Sequence, residues 1–169
     1  KAGGSVIQFI MDMEHMDFTE AVLHLADRLH MTPPEVKEDE AYQAARTLKE
    51  RLIAANRAAA HFYHQRLFTK EGEPVLAYLK GRGLDDGVIR RFGLGAAMGG
   101  RDDLTEHLIS QGYTLEETQK AGLTILRDGK TVDMFRNRAI FPIIDLYGQV
   151  LGFGGRAMGD AKPKYLNTP

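Results

Sequence analysis

The sequence predicts an α+β fold, in which an N-terminal helical segment and a long linker helix precede short helices with a small antiparallel sheet. Apolar residues recur at helical spacing as far as Gly122. From Leu123 onward, short runs of β-branched and aromatic residues alternate with polar ones. The turn pairs Asp128-Gly129 and Tyr147-Gly148 then divide this last region into hairpins.

The first predicted element is a helical hairpin over residues 5–30, with apolar residues at helical spacing in both halves. Asp17 or Thr19 begins its second helix, because short polar side chains satisfy the free N–H groups of a helix start. Pro33-Pro34 ends the hairpin and opens a linker.

A single long amphipathic helix is predicted from Asp39 to Phe68. Alanine is frequent along it, and an apolar stripe persists at helical spacing. His61 and His64 lie three residues apart and could share a face. A metal site would need further ligands that their neighbours do not offer, so we expect a surface or interface role for both.

Short helices follow, each bounded by a capping residue or a glycine. We expect them at Pro74–Lys80, closed by Gly81; from Asp85 to Phe92; from Asp102 or Asp103 to Gly112; and from the capping box Thr114–Glu117 to Gly122.

Two β-hairpins are predicted at the end of the chain. Residues 124–127 and 130–134 flank Asp128-Gly129, a pair typical of two-residue hairpin turns. Residues 139–146 pair with 149–153 around the second turn. Gly154-Gly155 then predicts a bulge or the close approach of another backbone.

The composition excludes several classes of protein. With 43% hydrophobic and 27% charged residues, the chain is too apolar for wholesale disorder. No stretch approaches the length of about 18 apolar residues that a membrane span requires, and there is no secretory signal pattern. The absence of cysteine excludes disulfides and thiolate metal sites within these residues. We expect a cytoplasmic protein without a membrane partner.

Charge is unevenly distributed along the chain. Residues 1–50 carry ten acids against five bases, whereas residues 120–169 carry eight bases against four acids. A basic C-terminal portion on a chain of net charge −1 favours a local anionic partner such as a phosphate backbone. A merely solvated basic surface is the alternative.

The sequence lacks the motifs of a self-contained active site. Gly152-Phe153-Gly154-Gly155 has the wrong spacing for a dinucleotide fingerprint, and no helix pattern follows it. Walker A, Gly-x-Ser-x-Gly and Asp-x-Asp patterns are absent. We therefore expect no catalytic residue and no metal ligand in this chain.

A positively charged binding surface is predicted in the C-terminal third. Arg136 and Arg138 share strand parity, so we expect both side chains on one face. Arg156 follows two glycines that would let a nucleotide approach the backbone. Lys164 and Tyr165 offer a phosphate-binding charge beside a ring on which a base can stack.

Arg82 is a further candidate, because Gly81 and Gly83 place it in a loop where its side chain is presented rather than packed. An alternative interpretation treats these basic residues as guards of exposed strand edges and Tyr165 as a core residue. The residues alone leave both interpretations open.

Three motif blocks carry a family resemblance. They are Gly3-Gly-Ser-Val-Ile-Gln-Phe-Ile10 with Phe18-Thr-Glu-Ala-Val-Leu-His-Leu-Ala26; Tyr78-Leu-Lys-Gly-Arg-Gly-Leu84 with Ile89-Arg-Arg-Phe-Gly-Leu-Gly95; and Arg136-Asn-Arg-Ala-Ile-Phe-Pro-Ile143, Gly148-Gln-Val-Leu-Gly-Phe-Gly-Gly-Arg156 and Pro163-Lys-Tyr-Leu-Asn-Thr-Pro169. In this order they resemble the DnaG-type bacterial DNA primases, over nearly the whole chain.

The resemblance implies a parent protein with a zinc ribbon, an RNA polymerase core and a helicase-binding domain. It divides this chain into the last helices of the ribbon at 1–32, a linker at 33–40 and the N-terminal subdomain of the core at 41–169. The zinc ligands are then expected before Lys1. The acids of a TOPRIM subdomain, which bind catalytic Mg or Mn, are expected after Pro169.

The implied activity is synthesis of short RNA primers on single-stranded DNA from ribonucleoside triphosphates, with a replicative helicase as partner of the parent. Arg82, Arg156 and Lys164 match family basic residues implicated in template or nucleotide binding. Lys164 and Tyr165 would lie beside the incoming nucleotide, near the TOPRIM metals, and Arg136 and Arg138 would line the groove. This chain would contribute binding, with no cofactor of its own.

Two alternatives stay open at this point. The chain could be a non-enzymatic interaction module whose long helix and helical hairpin dock a protein partner. Within the family, a phage or plasmid primase is the alternative to the chromosomal enzyme.

Overall fold

The computed structural model describes residues 5–14, 16–32 and 40–169. The predicted α+β class is confirmed. Among the described residues up to Lys120 the elements are helices except for one short strand at Gly95–Ala97, and the other strands follow; all the strands lie in two antiparallel sheets. The chain divides into two compact units, Lys1–Ala44 and Ala45–Pro169. In the described part, no helix combines the length and the apolar character needed to cross a bilayer.

The first unit contains the predicted helical hairpin, formed by α1 (Val6–Glu14) and α2 (Phe18–Arg28). Asp17 caps α2, and Glu20 completes a capping box by accepting from the Asp17 backbone N–H. The Asp17 carboxylate also accepts a 2.6 Å hydrogen bond from the Tyr42 hydroxyl, which raises the pKa of Tyr42. The predicted linker lies outside the described residues apart from Glu40.

The predicted long helix is confirmed as α3 (Glu40–Leu67). Its predicted first residue, Asp39, lies outside the described residues. At the other end, Thr69 caps a single 3₁₀ turn at Lys70–Gly72, and the next helix begins directly after it at Glu73.

The predicted short helices are present as α4 (Glu73–Gly81), α5 (Asp86–Arg91), α6 (Asp103–Ser110) and α7 (Leu115–Lys120). Asp85 caps α5 and Thr114 caps α7, as predicted. Gly81 is the last residue of α4, as predicted, but it does not take the left-handed conformation that commonly follows a helix. Gly83, at φ +86°, takes the left-handed position, and the N–H groups of Gly83 and Leu84 bond to the carbonyls of Lys80 and Leu79.

The first predicted hairpin forms a two-stranded sheet from β2 (Thr124–Arg127) and β3 (Lys130–Asp133). Asp128 and Gly129 have φ values of 51° and 72°. Positive φ at both central residues defines the turn that matches strand twist, which is why this pair predicted the hairpin correctly.

The main sheet has four antiparallel strands in the order β1-β4-β5-β6. They are β1 (Gly95–Ala97), β4 (Arg138–Ile144), β5 (Val150–Ala157) and β6 (Tyr165–Asn167). The second predicted hairpin is therefore confirmed as β4–β5. The strands at both edges, β1 and β6, were not predicted.

Strand parity does not relate Arg136 to Arg138 as expected, although both residues line one cavity of the structure. Arg136 precedes β4, which begins at Arg138. Asn137 between them adopts φ 49°, a left-handed conformation that interrupts the alternation of an extended strand.

Two apolar clusters hold the second unit together. One packs α3 against α6, α7 and the sheet, with Tyr63, Phe135 and Phe153 at its centre. The other lies between the end of α3, α4, α5 and the strands β1 and β4. Both clusters contact the main sheet, so the sheet is the element that positions any site built on its surface.

Gly72→Ala is expected to lower the free energy of unfolding by about 2–3 kcal/mol. A Cβ on Gly72 would collide with the backbone carbonyl oxygens of Arg66 and Leu67, which cannot rotate away as a side chain could. Gly81→Ala is the matched control, since nothing lies within 4 Å of its Cβ position. Urea unfolding followed by circular dichroism compares the two, and equal losses would contradict the steric explanation.

Candidate functional site

A cavity of about 390 Å³ lies between α4 and one face of the main sheet. We call it the sheet pocket. Its lining residues are Tyr78, Leu79, Arg82, Leu84, Phe141, Gly154, Gly155, Arg156, Tyr165 and Asn167. It therefore brings together three of the six predicted site residues, Arg82, Arg156 and Tyr165.

Strand register explains why two of these residues meet. Arg156 of β5 pairs directly with Tyr165 of β6, so their side chains project from the same face of the sheet. Tyr165 is 62% exposed, which rules out the alternative that it is a core residue. Its ring is free on the open side of the pocket to contact another planar group.

Tyr78 organises the two arginines of the sheet pocket. The Arg156 guanidinium carbon lies 4.3 Å from the centre of the Tyr78 ring, and that of Arg82 lies 5.9 Å from it. Arg82 Nε also donates a 3.2 Å hydrogen bond to the Tyr78 hydroxyl. The aromatic ring thus holds two cations near each other, as cation–π contacts can.

The sheet pocket is positively charged. Within the described residues, no carboxylate lines it, and neither Arg82 nor Arg156 has an acid within 4.0 Å. Arg156 donates only one long bond, 3.4 Å to the Ala157 carbonyl. Among the described residues, most of the donors of the two guanidinium groups therefore have no acceptor, and they suit an anion with several oxygens.

The two glycines before Arg156 have different roles. A Cβ on Gly155 would collide with the Phe135 ring, so this glycine admits a core side chain of the chain itself. A Cβ on Gly154 would meet Asn167 Oδ1 at 3.2 Å. The prediction of a bulge or of a close backbone at these glycines is therefore wrong at Gly155, where the approaching group is a core side chain.

Arg138 lies on the opposite face of the sheet and is 5% exposed. Its guanidinium donates to the carbonyls of Gly155 and Pro163 at 3.2 and 2.9 Å. Burial lowers the pKa of Arg138. These bonds fix the segment that leads into β6, and with it Tyr165, so Arg138 has a structural role whatever it contacts besides.

Arg136 and Lys164 lie outside the sheet pocket. Arg136 is half-buried and lines a separate cavity of about 480 Å³ together with Arg127 and Lys162. Lys164 is exposed and immediately precedes β6, where its carbonyl accepts from the Ala157 N–H.

Two polar lining residues, Tyr78 and Asn167, were not predicted from the sequence. Both were detectable from spacing. Tyr78 lies four residues before Arg82 on α4, the separation that makes helical side chains neighbours. Asn167 lies two residues after Tyr165 and so shares its strand face.

The matches to family models decide the identity of the chain. The model for the N-terminal domain of the DNA primase catalytic core matches residues 62–169, more than half of the chain. The model for the CHC2 zinc finger matches residues 1–41. The chain belongs to the DnaG-type bacterial DNA primase family. This assignment does not favour the alternative of a non-enzymatic interaction module.

Individual primases agree with the assignment. The DNA primase of Mycobacterium leprae is 43% identical over 172 residues, which cover 99% of this chain and 26% of that protein. The DNA primase of Clostridium acetobutylicum is 39% identical over 166 residues, covering 98% of this chain and 27% of that protein. The chain thus spans about a quarter of the length of these curated relatives.

Solved primase structures share the fold. The RNA polymerase domain of Mycobacterium tuberculosis primase DnaG, in complex with a double-stranded DNA oligomer with a 6-nucleotide overhang, has a TM-score of 0.68 at 42% identity; the match covers 71% of this chain and 38% of that one. The DnaG primase catalytic domain bound to single-stranded DNA has a TM-score of 0.67 at 37% identity, covering 73% and 40%.

The described residues do not offer the ligand set of a metal site. Across residues 5–14, 16–32 and 40–169, no three histidine or acidic side chains come together as a metal site would require. The chain also has no cysteine to supply thiolate ligands. We therefore assign no metal-dependent step to its residues.

Proposed function

We propose that this chain forms the template- and nucleotide-binding part of a primase that makes short RNA primers on single-stranded DNA. The sheet pocket carries the proposal, since it combines two arginines with an exposed tyrosine ring and, in the part of the chain that the structure describes, has no carboxylate in its lining. Single-stranded nucleic acid is bound by just such positive grooves with stacking rings. Solved relatives with bound DNA support the same partner.

The division of labour follows from the chemistry of phosphoryl transfer. Metal ions neutralise the charge that moves between phosphate oxygens, while a cationic wall positions the template and the triphosphate. We propose that Arg82 and Arg156 are this wall and that Tyr165 stacks on a base. Arg136 and Lys164 would extend the charged surface beyond the pocket, with Arg138 as a positioning residue.

The remaining functions are proposed for the parent protein. Its zinc would be structural, as the zinc-finger match supports, and Mg or Mn would be held by TOPRIM acids. Residues 1–32 would end the ribbon, 33–40 would be the linker and 41–169 the core subdomain. The proposal also includes ribonucleoside triphosphates as substrates, a replicative helicase as the partner of the parent protein, and a cytoplasmic location.

The test is binding of a fluorescein-labelled single-stranded oligonucleotide, measured by anisotropy over a series of salt concentrations. We expect Arg82→Ala/Arg156→Ala to bind about tenfold more weakly than the wild-type chain. The slope of log K against log salt should become less steep by about 1.4, because two phosphate contacts contribute about 0.7 each.

A control variant removes the same charge elsewhere. Lys70→Ala/Lys130→Ala eliminates two exposed cations that lie outside the sheet pocket. We expect little change in affinity or slope for this control. Equal binding by the wild-type chain and the double arginine variant would refute the assignment of the site.

A further inference from the structure

A second cationic groove lies on the opposite face of the main sheet. It has a volume of about 660 Å³ and runs between α3 and α5, with residues of β4 and β5 at its base. We call it the α3–α5 groove. Phe141 lines the sheet pocket and its neighbour Pro142 lines the groove, and adjacent residues of a strand point to opposite faces. The two cavities are therefore separate sites.

The groove collects positive charge from two helices. Arg57 projects from α3, and Arg90 and Arg91 from the end of α5, and all three are exposed. In the described part of the chain, no carboxylate lines the groove, and none lies within 4.0 Å of these arginines. Acids and bases are almost equal in number in the whole sequence, 23 against 22. The described lining of this groove therefore differs from the chain average, because it contains bases and no acids.

Aromatic and apolar groups stand beside these charges. The Phe92 ring is 54% exposed, and the guanidinium carbon of Arg91 lies 5.8 Å from its centre. Arg90 lies 4.4 Å from the Phe68 ring, which restrains its position. Pro142 and Val150 form an apolar base. Planar cations, an open ring and an apolar base together suit phosphate groups linked to planar bases.

We propose that the α3–α5 groove binds a second segment of single-stranded nucleic acid, with phosphates on Arg57 and Arg91 and a base on Phe92. Three features favour a strand over an acidic peptide. The cations are all arginines, whose forked donors match phosphate oxygens. An exposed ring is available for stacking. The groove also places these groups side by side, since residues of α3, α5, β4 and β5 all line it. The inference rests on the proposed function only in taking nucleic acid as a partner of this chain.

The chain offers a site-specific probe because it contains no tryptophan. Phe92→Trp places a single indole in the groove, and Tyr165→Trp places one in the sheet pocket. Base stacking quenches indole fluorescence, so each variant reports binding at its own site. The titrant is an oligothymidylate of about 25 nucleotides, long enough for two sites, and one of about 8 nucleotides serves for a single site.

We expect the longer oligothymidylate to quench Phe92→Trp, with a midpoint that Arg57→Ala/Arg91→Ala shifts about tenfold. Lys70→Ala/Lys130→Ala is the charge-matched control and should leave that midpoint in place. The quench should survive Arg82→Ala/Arg156→Ala when the shorter oligonucleotide is used. If the sheet pocket assignment fails in the anisotropy test, this last quench is still expected, so the two failures are distinguishable.

Three results would overturn the inference. The first is oligonucleotide binding that quenches Tyr165→Trp but not Phe92→Trp, which would leave only the sheet pocket occupied. The second is quenching of Phe92→Trp by poly-glutamate and not by oligothymidylate, which would identify an acidic protein as the partner. The third is quenching by a free nucleoside triphosphate at the same phosphate concentration, which would identify a mononucleotide site.

Discussion

Phe153→Ala is expected to lower the free energy of unfolding of the second unit by about 3–5 kcal/mol. Phe153 is 0% exposed and lies at the centre of the larger core cluster. Its ring packs edge-on against Tyr63 and Phe135, with centroid distances of 5.5 and 6.4 Å. Alanine would remove both aromatic contacts and leave a cavity that rigid neighbours cannot fill.

Phe153→Ala should also weaken oligonucleotide binding at the sheet pocket. Phe153 belongs to β5, the strand that carries Arg156, and its backbone exchanges hydrogen bonds with Thr168 just beyond β6. Urea unfolding followed by circular dichroism measures the loss of stability. Anisotropy with the labelled oligonucleotide, recorded where the variant is still folded, measures the loss of affinity.

Leu151→Ala is the matched control for this prediction. Leu151 lies on the same strand and is also apolar, but it is 55% exposed. Its truncation should change the free energy of unfolding by about 0.5 kcal/mol or less. A similar loss in both variants would mean that the aromatic cluster does not dominate the stability of this strand.

Local signals explain most of what the sequence predicted correctly. Asp17, Asp85 and Thr114 cap helices because the side chain and the N–H groups that it satisfies lie within three residues of each other. Asp128-Gly129 likewise forms a turn from its own backbone preferences. Such features do not depend on the rest of the fold, so a single sequence suffices to find them.

The missed strand β1 depends on a distant contact instead. Gly95-Ala96-Ala97 has no β-branched or aromatic residue and so gives no strand signal. A Cβ on Gly95 would lie 2.6 Å from Tyr63 Cβ on α3. The small side chains let this edge strand pass beneath the long helix, and only tertiary packing shows why they form a strand.

The residues of the candidate site likewise separate into those that local signals identify and those whose position depends on distant contacts. Arg82, Arg156 and Tyr165 meet in the sheet pocket, and residue type, neighbouring glycines and family resemblance together pointed to them. Arg138 was indistinguishable from these residues in the sequence, since an arginine is ordinarily exposed. Its burial depends on carbonyls supplied by Gly155 and Pro163, from elements that follow it by 17 and 25 residues.

Asp133 shows how such a nonlocal contact can support a helix. The predicted candidates for starting α6 were Asp102 and Asp103, yet Asp102 makes no side-chain cap. Asp133, at the end of β3, takes that role from 28 or 29 residues away in sequence. Its carboxylate accepts from the backbone N–H groups of Leu104 and Thr105 at 2.8 and 3.0 Å, and from the Thr105 hydroxyl at 2.6 Å.

Asp133→Ala is therefore expected to lower the free energy of unfolding by about 3 kcal/mol, because it leaves two buried N–H groups at a helix start without an acceptor. Asp133→Asn should recover only part of this, since its amide nitrogen cannot accept a hydrogen bond. Urea unfolding at neutral pH measures the free energy of unfolding of the wild-type chain, Asp133→Asn and Asp133→Ala, and we expect it to fall in that order. An asparagine variant as stable as wild type would show that one acceptor oxygen is sufficient.

The pH dependence provides a second measurement on the same residue. Burial raises the pKa of the Asp133 carboxyl above its ordinary value of 3.8, although its three hydrogen bonds oppose the shift. The folded chain then binds this proton more readily than the unfolded chain. The contribution of Asp133 to stability is accordingly greatest below the unfolded pKa and falls as pH rises through the folded pKa. We therefore expect the difference in free energy of unfolding between wild type and Asp133→Ala to increase as the pH is lowered from about 7 to about 4. A gap that narrows on acidification would show that the hydrogen bonds outweigh burial at this carboxylate.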